Sequence, residues 1–275
     1  MSKVIKFLLN KGNTFAFAAI SAIFAVVPEN CFLVWKISDK WKDSTNVLIN
    51  RLVVCALIIV VVNILYFIWR KYMRKSVQVT GNNFSIQIEY GDLLKITTGK
   101  VVIDFDECFT TKVGYNPADI KPQSICGQYL SMHPIANMQD LIRNAGLKPA
   151  KGKSEYNNQT RYTPATIIPR EQFFIMAFAK LDKNGRGYLS YEDYLNCLNT
   201  LWEQIDLYHG TDHVFVPILG SNITYFERQL TQQELLDIMV SSYILSPKRM
   251  KEPYKLHIIC RKKEGFLLDD VKGID

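Results

Sequence analysis

The run from Asp182 to Asp193 has the residue types of a calcium loop. Asp182 stands at position 1, Asn184 at 3, Gly187 at 6, Leu189 at 8 and Ser190 at 9. Position 5 is Arg186, which cannot ligate a cation. Position 12 is Asp193, where the loop needs a bidentate glutamate. A polar turn leading into a helix capped by Ser190 fits these residues better. His209 and His213 are four residues apart, but Gly210 between them argues for a turn, and no third ligand is apparent. Cys108 and Cys126 have no histidine beside them in sequence, so burial is the expectation for both. No nucleophile elbow and no phosphate-loop lysine motif is present. These residues assign no catalytic group and no metal.

Charge narrows the choice of partner. The 275 residues are 48% apolar and 21% charged, with a formal net charge of +7. Residues 1–75 hold eleven Lys/Arg against three Asp/Glu, which leaves 22 against 23 for residues 76–275. The excess therefore belongs to the first quarter, and the remainder has no global pull on nucleic acid. A local phosphate pocket remains compatible with that balance. Six cysteines, at 31, 55, 108, 126, 197 and 260, form no CxxC pair, which suits a reducing compartment.

The first quarter reads as a membrane anchor. Leu52 to Trp69 is an 18-residue apolar run with one polar side chain, Asn63. It follows Arg51 and precedes Arg70, Lys71, Arg74 and Lys75, with Tyr66 and Trp69 as interfacial aromatics. An earlier apolar stretch, Thr14 to Val27, meets Pro28 and resumes to Trp35. Either the whole piece crosses with a kink at Pro28, or it ends there. A cleaved signal peptide with Lys3, Lys6 and Lys11 as its basic region is the alternative for this stretch. Spans at about 14–35 and 52–69 make a hairpin, and the basic flanks favour both termini in the cytoplasm. Asn63 suits either a helix–helix hydrogen bond or a pore lining. Domain limits of 1–75 and 76–275 follow.

Beyond Ser76, strands are expected at Val77–Thr80, Phe84–Glu89, Val101–Phe105, Thr163–Ile168, Phe173–Leu181, His213–Leu219 and Lys255–Arg261. Helices are expected at Leu93–Thr97 (short), Pro122–Leu130, Met138–Asn144, Ser190–Leu207 and Gln232–Ile244. Residues 147–161 read as a loop. Alternation of strands and helices indicates an α/β domain with a mixed sheet flanked by helices.

Several segments in this order resemble the macro domain carried behind two membrane helices by Thoeris antiphage-defence effectors. They are Tyr90-Gly91-Asp92-Leu93-Leu94, VVIDFDECF at 101–109, KPQSICGQY at 121–129 and VFVPILGSNITYF at 214–226. The resemblance covers about residues 77–265. It implies binding of ADP-ribose or a derivative. Asp92, with Leu93, would receive the adenine amino group. Ser124, Ile125, Gly127 and Gln128 would form a first phosphate loop opening a helix. Leu219, Gly220, Ser221, Asn222, Ile223, Thr224 and Tyr225 would wrap the diphosphate, with Tyr225 or Phe226 as an aromatic face.

Hydrolytic macro domains carry an Asn-Ala-Ala-Asn segment and a run of glycines. Here Asp104-Phe105-Asp106-Glu107 and the single Gly127 stand instead. That favours sensing over hydrolysis, with a membrane-tethered ADP-ribosyl hydrolase as the alternative. Asp106 and Glu107 would suit a cationic or hydrogen-bond-donating group near the distal ribose. The resemblance further implies a histidine–ADP-ribose signal made by a TIR-domain enzyme, and no bound cofactor. It also implies self-assembly into homo-oligomers, membrane disruption and abortive infection. The place would be a prokaryotic inner membrane, with the macro domain cytoplasmic.

Overall fold

The computed structural model describes residues 11–33, 41–221, 224–226, 228–262, 266–268 and 271. It divides into two compact units, residues 1–74 and 75–275.

The first unit pairs helix α1 (Lys11–Val26) with helix α2 (Asp43–Met73). Helix α1 stops ahead of Pro28, which lacks an N–H for continuation, and a 3-10 turn follows at Glu29–Leu33. Gly12, Asn13 and Ala16 are buried on one face of α1. A Cβ on Gly12 would run into the Asn63 side chain. That close approach lets Asn63 Nδ2 donate to Asn13 Oδ1 at 2.7 Å and to Ile59 O at 2.8 Å. Asn63 thus makes the helix–helix hydrogen bond, one of its two expected roles. Near the other end, Arg51 pairs with Glu29 at 3.1 Å and lies over the rings of Phe24 and Phe32. Asn50 Nδ2 donates to Phe32 O at 2.6 Å.

Among the described residues one helical segment, Asp43–Trp69, is long and apolar enough to cross a membrane. None of its most apolar 18-residue window is buried inside the protein, unlike a core helix of a soluble fold. Gly12–Val26 is a shorter apolar helix, about 22 Å at 1.5 Å per residue.

The second unit is a mixed sheet flanked by helices, as the element order implied. Its described strands are β1 (Ser76–Gly81), β2 (Phe84–Tyr90), β3 (Lys100–Asp106), β4 (Ile167–Arg170), β5 (Phe173–Leu181), β6 (Gly187–Leu189), β7 (Val214–Pro217), β8 (Tyr225–Phe226) and β9 (Leu256–Cys260). They run in the order β1-β2-β9-β7-β3-β5-β6-β8, with β4 beside β5. Strands β2, β9, β7, β3 and β5 are mutually parallel, so their C-terminal ends share one edge.

Both faces are covered, as a parallel sheet requires. Helices α3 (Ile125–Met132) and α4 (Met138–Asn144) cover one face. There Val101, Ile103 and Phe105 of β3 pack with Tyr129, Met138 and Ile142. Helices α5 (Tyr191–Tyr208) and α6 (Gln232–Leu245) cover the other, where Val102 joins a cluster containing Trp202, Leu201, Leu236 and Met239. Alternation along β3 thus sends its side chains to two cores.

Several expected boundaries shift, each for a local reason. Helix α3 starts at Ile125 rather than Pro122, because Ser124 caps it. The expected strand from Thr163 starts only at Ile167, since Pro164 offers no N–H and residues 163–166 form a turn. The helical stretch after Asp92 is one 3-10 turn, Leu93–Lys95. Strand β7 ends at Pro217. Strands β6 and β8, unforeseen, pair with each other in parallel.

Candidate functional site

A cavity of about 660 Å³ opens at the C-terminal edge of the parallel strands. That is where ligands bind in open α/β sheets, and the size suits a small organic molecule. Of the residues expected to bind, Asp106, Ser124, Ile125, Gly220, Ser221, Thr224 and Tyr225 line it together.

Ser124 lines the cavity as the cap of α3. Its Oγ accepts the Gly127 N–H at 2.9 Å and donates to Lys121 O at 2.7 Å. The cap brings the start of α3 to the cavity wall at Ser124, Ile125 and Cys126, leaving first-turn amides without intrahelical partners. Gly127 is absent from the lining, and its role is steric. A Cβ there would meet the Lys121 carbonyl and lie 3.0 Å from Pro122 Cα. Gln128 also lies outside the lining, its amide donating to Gln123 O at 2.9 Å.

Gly220 turns the chain after β7 with φ +78°, a conformation that favours glycine, and a Cβ would come within 2.7 Å of the Phe226 ring. Tyr225 is exposed on the wall, whereas Phe226 packs edge-on to Tyr194 at 5.4 Å. Leu219 is fully buried in the core, its carbonyl accepting from Tyr194 OH at 3.2 Å. Asn222 and Ile223 lie outside the described residues.

Asp92 is not part of the cavity lining. It sits at the end of β2 and caps the turn after it, accepting the Leu94 N–H at 3.2 Å, with Lys95 at 3.6 Å. Leu93 is buried beneath α3 and α4.

The expected pairing of Asp106 with Glu107 is corrected. Successive residues on a strand project to opposite faces. Asp104 and Asp106 both line the cavity, while Glu107 turns into the segment after α4. There Glu107 accepts from Ser154 Oγ at 2.6 Å and the Leu181 N–H at 3.2 Å, with Arg161 at 3.8 Å. It is an internal tie for the 150–163 loop. Burial pushes the Asp104 carboxyl up to about 6, against its own backbone N–H and the charge of Arg261. Burial also raises Asp106, which accepts from the Cys108 and Thr110 N–H groups at 2.8 and 3.2 Å. Burial lifts the Cys108 thiol to about 12 and raises that of Cys126, so both stay protonated.

Two walls were not foreseen. One is the loop Tyr115–Lys121 and the other the turn Asp182–Tyr188. A Cβ on Gly185 would strike the side chain of Ala118, so the two are packed against each other. The Asp182 run, which looked like a metal loop, is a tight turn: Asp182 Oδ1 accepts the Asn184 and Arg186 N–H groups at 2.8 Å each. The signal available in sequence was the polar turn itself. Its proximity to Ala118 was not. Among the described residues no group of three His, Cys, Asp or Glu could hold a metal ion.

Comparison with known proteins gives a family and a set of relatives. The family model described as Thoeris protein ThsA, Macro domain, matches residues 86–261. The Thoeris protein ThsA of Bacillus amyloliquefaciens (strain Y2) is 29% identical over 236 residues, covering 81% of this chain and 77% of that protein. A variant macrodomain of Oceanobacillus iheyensis with ADPR aligns over 68% of this chain and 91% of its own, at 14% identity and a TM-score of 0.43. The macrodomain of Thermus aquaticus DarG covers 65% and 98%, at 12% identity and a TM-score of 0.38.

Proposed function

This chain belongs to the Thoeris ThsA macro-domain family, and from that membership we propose that it is a membrane-anchored sensor of an ADP-ribose-derived nucleotide. The observation that carries this reading is the cavity. It places the capped start of α3 and the Gly220 turn around one space at the strand ends. Both offer backbone N–H groups to phosphate oxygens. Asp104 and Asp106 line the same space and favour a ligand with a hydrogen-bond-donating or cationic substituent, such as histidine joined to ADP-ribose. The crossing-length helix supports an inner-membrane anchor with the macro domain in the cytoplasm.

In this reading a TIR-domain enzyme supplies the signal. Binding shifts a pre-existing equilibrium towards a homo-oligomer. Assembly of the helical hairpins against membrane lipid then disrupts the bilayer and ends the infected cell.

Calorimetry with histidine–ADP-ribose and ADP-ribose tests the sensor. Stoichiometric binding by the wild type is expected, with loss in Gly220→Glu and about tenfold weakening in Tyr225→Ala. Tyr225 is exposed, so the second variant separates lost contact from lost fold. No heat with either nucleotide would reject the reading. Asp104, with its carboxyl near 6, is the one feature that favours hydrolysis instead. Turnover of an ADP-ribosylated substrate, lost in Asp104→Asn, would decide for that alternative.

A further inference from the structure

The charged groups lining the cavity are four carboxylates, Asp104, Asp106, Asp119 and Asp182, and two cations, Lys121 and Arg186. A nucleotide diphosphate brings two more negative charges. Three of the carboxylates are held by protein donors. Asp106 accepts the two N–H groups given above. Asp119 pairs with Lys112 at 3.2 Å and accepts the Asn116 N–H at 3.1 Å. Asp182 closes its own turn. Asp104 is drawn towards its neutral form.

The cations differ. Lys121 Nζ is committed to the carbonyls of Tyr115 at 3.2 Å and Asn116 at 2.5 Å, where it braces the cavity wall. Arg186 is exposed, and its guanidinium has no hydrogen bond or ion pair among the described residues. Its backbone, by contrast, is held. The Asp182 carboxylate fixes its N–H, and Gly185 beside it packs on Ala118. Strand β6, which follows at once, is paired to β8, whose Tyr225 lines the cavity together with Gly220. A free planar cation thus stands on a braced turn that joins both walls.

We propose that Arg186 is the diphosphate-binding side chain of this cavity. A guanidinium donates two parallel N–H bonds to phosphate oxygens, and it adds the charge that backbone amides lack. The assignment rests on the nucleotide reading above and deepens it. It accounts for an arginine at position 5 of the loop, where a calcium site would need an oxygen ligand.

Calorimetry of the full chain with ADP-ribose, at low and moderate salt, tests the assignment. Arg186→Gln is expected to weaken binding by about tenfold to a hundredfold, the range of a charge-assisted hydrogen bond. Its affinity should depend less steeply on salt, and its melting temperature should match the wild type. Arg186→Lys should recover part of the loss. Wild-type affinity in Arg186→Gln overturns the assignment while leaving the nucleotide reading intact. A loss with an unchanged salt dependence or a lowered melting temperature also overturns it, because it marks a structural role. Failure of the wild type to bind either ADP-ribose or histidine–ADP-ribose overturns both.

Discussion

The two units are held by opposite means. In the helical pair the described contacts between α1 and α2 include Asn63 to Asn13, and Arg51 of α2 reaches Glu29 of the turn that follows α1. Large apolar side chains such as Leu52, Leu57, Ile64 and Phe67 face outward. In the α/β unit the order is reversed. Trp202, Tyr194 and Tyr129 are fully buried, and two apolar clusters sandwich the sheet. Lipid is as apolar as leucine, so helices in a bilayer gain nothing by hiding apolar groups from it. In the proposed membrane setting, polar pairs and close-fitting small residues such as Gly12 and Ala16 would remain to hold the two helices together. In water the apolar area itself is the driving force.

That contrast can be broken by measurement. The largest effect is expected from Trp202→Ala in the α/β unit. The indole is fully buried, donates to Ser242 Oγ at 3.0 Å and meets the Tyr243 ring edge-on at 5.1 Å. A loss of about 3–5 kcal/mol is expected, on the order of 10 °C in melting temperature. A shift below a few degrees would mean this cluster is not what holds the unit.

Next in size is Asp104→Asn. The folded carboxyl titrates near 6, above its ordinary 3.8, so the folded state binds the proton more tightly than the unfolded state does. Stability from this group is therefore present below about pH 4 and is lost as pH rises through about 6. The asparagine variant should match the wild type at pH 4 and exceed it at pH 7.5 by about 2–3 kcal/mol, the distance from 3.8 to about 6 at about 1.4 kcal/mol per pH unit, roughly 5–10 °C. Parallel melting curves from pH 4 to 7.5 would show that the carboxylate is solvated rather than enclosed.

The smallest effect belongs to the helical pair. A double-mutant cycle of Asn13→Ala and Asn63→Ala in micelles should give a coupling of about 0.6–1.7 kcal/mol. Zero coupling would deny the polar bond its part. In the same unit Gly12→Val should loosen the pair, because a side chain there collides with Asn63. Crosslinking between the helices would report it.

Much of the scaffold was legible because it rests on local periodicity. Helix α4 begins and ends where Met138 to Asn144 was expected, and Phe173 to Leu181 is β5 end to end. Of the apolar repeat Tyr194, Leu195, Leu198, Leu201, Trp202 and Ile205, all but the half-buried Leu195 lie in the core. Strands β6 and β8 left no such trace. Three residues and two residues carry no period; β6 forms its ladders with β5 and β8, and β8 forms its ladder with β6.

The site divides along the same line. The residues alone determined that the chain turns at Gly220, which is a matter of one residue and its own backbone, whereas the Ser124 cap that moves the start of α3 to Ile125 came from the structure. They also marked the apolar run that α2 carries. The fold decided that Asp104 joins Asp106 while Glu107 departs, because strand alternation and a register shift after Phe105 set the facing. It decided too that Arg186 stands beside a nucleotide-sized space. Residues sixty or more positions apart meet there through packing that no local pattern encodes, since their contact depends on where the sheet carries each loop.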